Sequence, residues 1–281
     1  MNLQTSIQCL KGKVDDMTNT YKKARTFIYR NARPLDLARF QFHFEGGNAE
    51  AVLMALAAYQ NEDGGFGHAL EPDYWNPHSS PIQTWAATEI LLEVGQEDAS
   101  HPIVQGILRY LGSGTDFDGK LWANEVPSNN DYPHAPWWHF GKPVTNEYDY
   151  NPTAALAGFI LRFAAHDSEL HALGQRIADE AAEAYLAGKA GDGSYSNVLF
   201  VRLAQVLDNP ALTQALQGCN TTHYDFPPEA QLPDGSWEMP WGWGDYPEEW
   251  AVSQNWWKSH IIIENLLKAP NSHNKQDGAI I

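Results

Sequence analysis

Two distant stretches of the chain share one form, which constrains the fold more than any other feature. Residues 60–66 (QNEDGGF) and 231–237 (QLPDGSW) both read Q-x-x-D-G-x-(F/W). The glycine can adopt the left-handed conformation that ends a helix, and the aspartate can tie the turn by accepting hydrogen bonds from nearby amides. The glutamine can hold the end of an adjacent helix, and the aromatic ring can fill the gap between helix pairs. We call this turn a clasp and expect each copy to join one helical hairpin to the next.

The rest of the chain is dominated by helical patterns. Apolar residues recur three and four positions apart, whereas alternating β-type runs are nearly absent. This pattern predicts an all-α fold, with a single domain over 1–270 and a loose polar tail over 271–281. Weaker clasp copies occur at 118–122 (DGKLW) and 192–195 (DGSY). The predicted helices are 14–30, 34–45, 49–60, 81–94, 102–111, 152–165, 168–187, 196–207, 210–218 and 249–267.

Composition narrows the classes of partner. The 281 residues carry a formal net charge of −17, which disfavours binding to nucleic acid or to an anionic membrane surface. The two cysteines, Cys9 and Cys219, do not form a disulfide framework and fit a reducing compartment. Neither an apolar signal segment nor a run of about 18 apolar residues is visible, so we expect a cytoplasmic protein without a membrane span. The oligomeric state is left open.

The clasps resemble the QW motif of squalene and terpenoid cyclases and the D-G-G-F turns of protein prenyltransferase β subunits. Gln231, Gly235 and Trp237 have the full Q-x-x-x-G-x-W spacing, and Phe66 replaces the tryptophan in the first copy. The resemblance covers about residues 49–267. It implies an α/α toroid, in which inner and outer rings of helical hairpins surround a central cavity. In that family the helix that ends at the glutamine is outer, and the helix after the D-G loop is inner.

The catalytic signatures of that family are mostly missing. The nearest approach to the D-x-D-D acid motif is Asp116-Phe117-Asp118, which lacks the last acid, and the nearest approach to the magnesium motif D-D-x-x-D is 15–19 (DDMTN). The zinc pattern D-x-C with a distant histidine is matched only by Cys219 and His223, without the aspartate. We therefore expect no zinc, no other metal and no cofactor, although a cluster of acids also suits a hard cation such as calcium or magnesium.

A second repeat points to a candidate site. Residues 71–77 (EPDYWNP) and 147–152 (EYDYNP) precede the helices predicted at 81 and 152, and a related DYP occurs at 245–247. If those helices are inner, the loops meet at one rim of the cavity and their carboxylates converge. The candidate catalytic residues are Glu71, Asp73, Glu147, Asp149 and Asp245.

Two interpretations of these acids stay open. Asparagine before proline forms turns, and acids near a helix N-terminus are favoured by the helix dipole, so the repeat can be purely structural. Alternatively, several carboxylates in one cavity repel each other, so at least one pKa should rise and provide a protonated acid beside an ionised partner.

Aromatic residues and histidines surround the acidic loops. Some of these rings belong to the core, but those in polar loops such as 132–141 are expected to face a cavity. Histidines 134 and 139 in that loop can assist proton transfer or can simply make hydrogen bonds. The candidate ligand-binding residues are Tyr74, Trp75, His78, Trp85, His134, Trp137, Trp138, Tyr150 and Trp250.

Three functions are compatible with this sequence. An isoprenoid enzyme would use a carboxylic acid to start the reaction and aromatic faces to stabilise carbocations, and the clasp resemblance places it first. A carbohydrate-active enzyme would use paired carboxylates and flat aromatic platforms, which also occur on helical toroids. A toroid that only binds a small molecule is the third. An apolar cavity would favour isoprenoids, and one lined with hydrogen-bonding groups would favour sugars.

Overall fold

The computed structural model describes residues 19–141, 150–190, 194–221 and 227–268. Within these ranges all regular secondary structure is helical, and the β-bridges are isolated pairs. The helices are α1 (19–31), α2 (Pro34–Phe44), α3 (Ala49–Ala57), α4 (Pro81–Glu93), α5 (Pro102–Gly112), α6 (Thr153–Phe163), α7 (Glu169–Leu186), α8 (Ser194–Ala204), α9 (Pro210–Ala215) and α10 (Pro247–Lys268).

The predicted all-α class is confirmed, and the predicted helices match those of the structure apart from their ends. Proline at the first helical positions starts α2, α4, α5 and α9. The Ser80 side chain caps α4 by accepting from the Gln83 amide, and Ser168 caps α7 in the same way. Helix α3 ends at Ala57, three residues before the predicted end, because the clasp turn begins there.

The chain divides into two compact units. Unit 1 is formed by described residues within Met1–Ala55, Asp225–Gly242 and Pro247–Ile281, and unit 2 by those within Leu56–Tyr224 and Trp243–Tyr246. The single domain over 1–270 stays a prediction.

Unit 2 is an array of packed hairpins in which α6 is central. Helix α6 contacts α4, α5, α7 and α8, and all of its residues except Arg162 are buried. In contrast, α7 buries one stripe that runs from Gly174 through Ile177 and Ala178 to Ala181 and Ala182, and it packs on α6 and α9. Helix α6 is therefore covered by α4, α7 and α8, and α9 packs on α7 and α8.

Unit 1 is organised around α2 and α10, which pack together. Its apolar core combines residues of α1, α2 and α10 with Trp237 and Met239. A charged group is also buried here: the Asp36 carboxylate accepts from Arg33 Nε at 2.7 Å and from Arg39 Nη1 at 3.2 Å.

The clasp of unit 2 has the hydrogen bonds that the sequence predicts. The Gln60 side-chain amide donates to the Gly64 carbonyl at 2.9 Å within the turn and to the Ile103 carbonyl at 3.1 Å at the start of α5. Asp63 Oδ1 accepts from the Gly65 amide at 2.9 Å. Gly64 has φ +96°, and a Cβ there would lie 2.1 Å from the Gly106 carbonyl oxygen. Only glycine fits this position.

The clasp of unit 1 repeats this geometry. Gln231 donates to the carbonyls of Gly235 and Thr20, both at 3.0 Å, and Asp234 Oδ1 accepts from the Ser236 amide at 2.9 Å. Gly235 has φ +97°, and a Cβ there would lie 2.2 Å from the Lys23 carbonyl oxygen. In both clasps the carbonyl bound by the glutamine lies three residues before the carbonyl that faces the glycine. The two turns are therefore docked on their helices in the same register.

The aromatic members of the clasps are core residues. Phe66, Trp122 and Trp237 are all buried. In the degenerate turn at 118–122 the Gly119 carbonyl accepts from Arg176 of α7 instead of a glutamine. The other degenerate copy, at 192–195, falls partly on residues 191–193, which lie outside the described residues.

Candidate functional site

Three segments of unit 2 form the candidate site, which we call the loop cluster: residues 67–80, 127–141 and 243–246. The first two are joined through their backbones. The Trp75 amide donates to the Pro133 carbonyl at 2.8 Å, and the Ala135 amide donates to the Asp73 carbonyl at 2.7 Å. Tyr74 and His134 face each other as an isolated antiparallel bridge. The loop that contains the acidic repeat is therefore fixed against the histidine- and tryptophan-rich loop.

Asp73 is a buried acid whose side chain is hydrogen-bonded to the indole of a residue far away in the sequence. Its side-chain oxygen Oδ1 accepts from Trp243 Nε1 at 2.8 Å, and both residues are buried. A carboxylate is expensive to bury unless hydrogen bonds replace its lost water, so this contact fixes the acid in place. It also ties the segment 243–246 to the loop cluster.

Tyr74, beside Asp73, is a neutral phenol at neutral pH. Its hydroxyl lies 2.6 Å from Ser80 Oγ, and its ring centroid lies 5.4 Å from that of Trp138. Burial raises the pKa of Tyr74 well above its usual value. The residue therefore anchors the loop to the cap of α4 and presents an aromatic ring next to the acid.

The sequence analysis missed a polar network that fixes the loop 67–80 to helix α4. Gln83 Oε1 accepts from the Leu70 amide at 2.8 Å, and Gln83 Nε2 donates to the Asn76 carbonyl at 3.0 Å. Asn76 Nδ2 in turn donates to Asn129 Oδ1 at 2.9 Å. Gln83, Asn76 and Asn129 are all buried. The signal available in the sequence was a glutamine within the first turn of α4, on the side of the helix next to the acidic repeat in sequence.

Histidines connect the outer part of the loop cluster. His134 Nδ1 lies 2.6 Å from the Tyr132 carbonyl oxygen, and His134 Nε2 lies 3.1 Å from His139 Nδ1. The Tyr132 hydroxyl lies 3.2 Å from His78 Nε2. The ring of Tyr246 is 5.9 Å from that of His134. Of the predicted ligand-binding residues, His78 and His134 are thus brought into one network.

The loop cluster also exposes large aromatic rings. Trp137, Phe140 and Tyr246 are each exposed by 38–43% of their surface. Asn130 holds the Phe140 backbone through two hydrogen bonds, of 2.8 and 3.1 Å. We call these three rings the aromatic rim. A rim of this kind offers flat apolar faces next to hydrogen-bonding side chains.

Asp116, part of the nearest approach to D-x-D-D, is a second candidate acid. Its Oδ2 accepts from the Tyr110 hydroxyl at 3.2 Å, and its backbone has φ +56°. Partial burial, with a smaller contribution from Asp63, raises the pKa of Asp116. Asp116 is not one of the acids for which the sequence analysis expected a raised pKa, so that expectation for the acidic repeat stays a prediction.

Two other predicted site residues of unit 2 lie outside the loop cluster, and one belongs to unit 1. Trp85 of α4 donates to Glu89 Oε1 at 3.2 Å, and Glu89 pairs with Arg202 of α8. Tyr150 is buried, with its ring 6.1 Å from that of Phe200. Trp250 belongs to unit 1.

Two of the other four predicted acids are among the described residues, and two are not. Glu71 is partly buried, and Asp245 is exposed within the loop cluster. Glu147 and Asp149 lie outside the described residues, as does the rest of the second copy of the acidic repeat before Tyr150. The predicted convergence of Asp73 with Asp149 therefore stays a prediction.

Two general findings complete the description of the site. Within the described ranges, no group of three or more His, Cys, Asp and Glu side chains is arranged to hold a metal ion. Among the helices described above, none is both long enough and apolar enough to cross a membrane.

Comparison with known proteins gave no relative. No protein-family model matches the chain, and no curated protein or solved structure is significantly similar to it.

Proposed function

We propose that the helical hairpins of this chain close into an α/α toroid of the terpenoid-cyclase and prenyltransferase type. Two observations support the proposal. The clasps at Gln60 and Gln231 dock on their helices in the same register, as expected of copies of one repeat. In unit 2, the buried helix α6 packs against α4, α7 and α8, as expected of a helix in an inner ring that is covered by an outer ring.

We further propose that the protein is an enzyme with its active site at the loop cluster. Its substrate is a small molecule, and an isoprenoid is the first candidate. The observation that carries the proposal is Asp73, a buried acid fixed by Trp243 and flanked in sequence by Tyr74 and Trp75. An acid among aromatic rings is what the protonation of an alkene requires, because the rings stabilise the cation that forms.

The reaction can be written with its protons balanced. Protonated Asp73 would donate its proton to one carbon of a C=C bond, which leaves a carboxylate and a carbocation. The cation would be stabilised by the faces of neighbouring rings until a base removes a proton from an adjacent carbon and restores a double bond. Asp116, whose pKa is raised by burial, is the alternative donor.

A carbohydrate ligand is the second candidate, and the aromatic rim favours it. Trp137, Phe140 and Tyr246 are exposed beside the polar side chains of Asn130 and His139. Flat rings next to hydrogen-bonding groups are the usual platform for sugar rings. In this case Asp73 would serve as one of two carboxyl groups in glycoside chemistry.

Product analysis with two substrate panels tests these proposals. The purified protein is incubated with squalene and geranylgeraniol, or with cello- and chito-oligosaccharides, and the products are identified by mass spectrometry. We expect conversion in one panel by the parent protein, none by Asp73→Asn, and parental conversion by Asp131→Asn. Asp131 is a matched control because it is an exposed acid in the same loop cluster. Conversion by Asp73→Asn at the parental rate, or by no variant in either panel, would contradict the proposed function.

A further inference from the structure

The proton positions of His134 and His139 follow from one acceptor-only partner. The Tyr132 carbonyl oxygen, 2.6 Å from His134 Nδ1, can only accept, so Nδ1 bears the proton. In neutral His134 the other nitrogen, Nε2, then carries a lone pair. His139 Nδ1, 3.1 Å away, must donate to it. The remaining lone pair of the neutral pair is therefore on His139 Nε2.

The two rings differ in their access to solvent. His134 is buried, whereas His139 is exposed, and the rings are stacked with an interplanar angle of 17° and centroids 5.3 Å apart. Among the described residues, His139 Nε2 has no hydrogen-bond partner. A buried imidazole thus orients an exposed one, as a second group orients the base in nucleophilic and general-base sites.

We infer that His139 is a general base for the O–H group of a ligand or of water, and that His134 is the residue that positions His139. His139 Nε2 takes the proton of the O–H group, and the positive charge rests on His139, where solvent can stabilise it. The Nδ1 proton of His139 stays in its hydrogen bond to His134 Nε2, and the Nδ1–H of His134 still donates to the Tyr132 carbonyl. The inference rests on the proposed small-molecule site, because the hydroxyl group belongs to a ligand held at the aromatic rim.

Nuclear magnetic resonance of the ¹⁵N-labelled imidazoles tests the proton positions without any ligand. In neutral protein we expect both His134 and His139 as Nδ1–H tautomers. His101 provides an internal reference of the opposite kind, because its Nδ1 accepts from the Ile103 amide and its proton must be on Nε2. Signals are assigned with the variants His139→Asn and His101→Asn. An Nε2–H tautomer at His139 would overturn the inference.

Hydrolysis of p-nitrophenyl acetate tests the base itself. Water gives a proton to His139 Nε2 and its oxygen adds to the ester carbon, after which p-nitrophenolate leaves. The acetic acid that forms ionises to acetate, and its proton and the one on His139 pass to solvent. We expect His139→Gln to lower the rate at least about tenfold. In His134→Gln the amide oxygen can accept from His139 Nδ1–H and keep the tautomer, so the variant should retain most of the rate. His134→Leu removes the acceptor and should lower the rate.

The control and the contrary results are separable from those of the proposed function. His101→Gln, at the start of α5, should hydrolyse the ester at the parental rate. Parental rates for His139→Gln or His134→Leu would overturn the inference. Empty substrate panels together with two Nδ1–H tautomers would contradict the proposed function alone, since the tautomers are measured without a ligand.

Discussion

Trp243 donates a hydrogen bond of 2.8 Å from its indole nitrogen to the carboxylate of Asp73, across 170 residues of sequence. We predict that Trp243→Phe lowers the free energy of unfolding by about 1–3 kcal/mol, because the buried carboxyl group of Asp73 loses a donor. Trp122→Phe is the matched control. Trp122 is equally buried, and its Nε1 has no partner among the described residues, so only the change in ring size counts. Urea unfolding measures both, and equal losses would show that the hydrogen bond contributes nothing.

The clasp glycines cannot be replaced. Gly64→Ala and Gly235→Ala each combine a left-handed backbone with a Cβ within about 2 Å of a carbonyl oxygen. We expect each to cost roughly 2–5 kcal/mol. Gly95→Ala has the same sign of φ, +69°, with no atom within 4 Å of its Cβ, so it should cost only about 1 kcal/mol. If all three variants melt alike, the close approach of clasp and helix is wrong.

The clasp aromatics fill the space between helices. Phe66→Ala and Trp237→Ala should each lower stability by about 3–5 kcal/mol, since each empties a fully buried ring site. Phe140→Ala, which removes an exposed ring of the aromatic rim, should change stability by less than about 1 kcal/mol. Thermal melts of Phe66→Ala and Trp237→Ala that match the parent would contradict the conclusion that these rings fill the space between helices.

The free energy of unfolding of unit 1 should fall in acid because of Asp36. Burial alone would raise the pKa of Asp36, but Arg33 and Arg39 outweigh burial and lower it. A lowered pKa in the folded state means that the stabilisation is complete above the unfolded value, about 3.9, and is lost as the pH falls toward the folded value.

Asp36→Asn isolates this effect. At pH 7 it should cost about 3–5 kcal/mol, because two buried guanidinium groups lose their carboxylate. At pH 3 the difference from the parent should shrink. Unfolding in urea at the two pH values measures it, with Asp131→Asn as the exposed control. A difference that grows in acid would contradict the sign of the pKa change.

Much of the fold could be predicted because its signals are local. The clasp at Gln60 is defined within seven residues, and α6 is recognisable from its own apolar pattern. The candidate site was predicted only in part. Asp73 and His134 were chosen from their loops. The contact of Asp73 with Trp243 joins residues that are 170 positions apart, and no local pattern encodes such a contact. Gln83 was missed because its role depends on which backbone amide and carbonyl groups the loop brings next to α4.

The central claim is that Asp73 belongs to a ligand site in a toroid. Crystallography of the protein soaked with squalene or cellobiose tests it most directly. We predict inner helices that include α4, α6 and α8 around a cavity, with the bound molecule in contact with the loop cluster and the Asp73 carboxylate facing it. A helical array without a central cavity, or a ligand-free Asp73 enclosed by protein on every side in all soaks, would contradict the account.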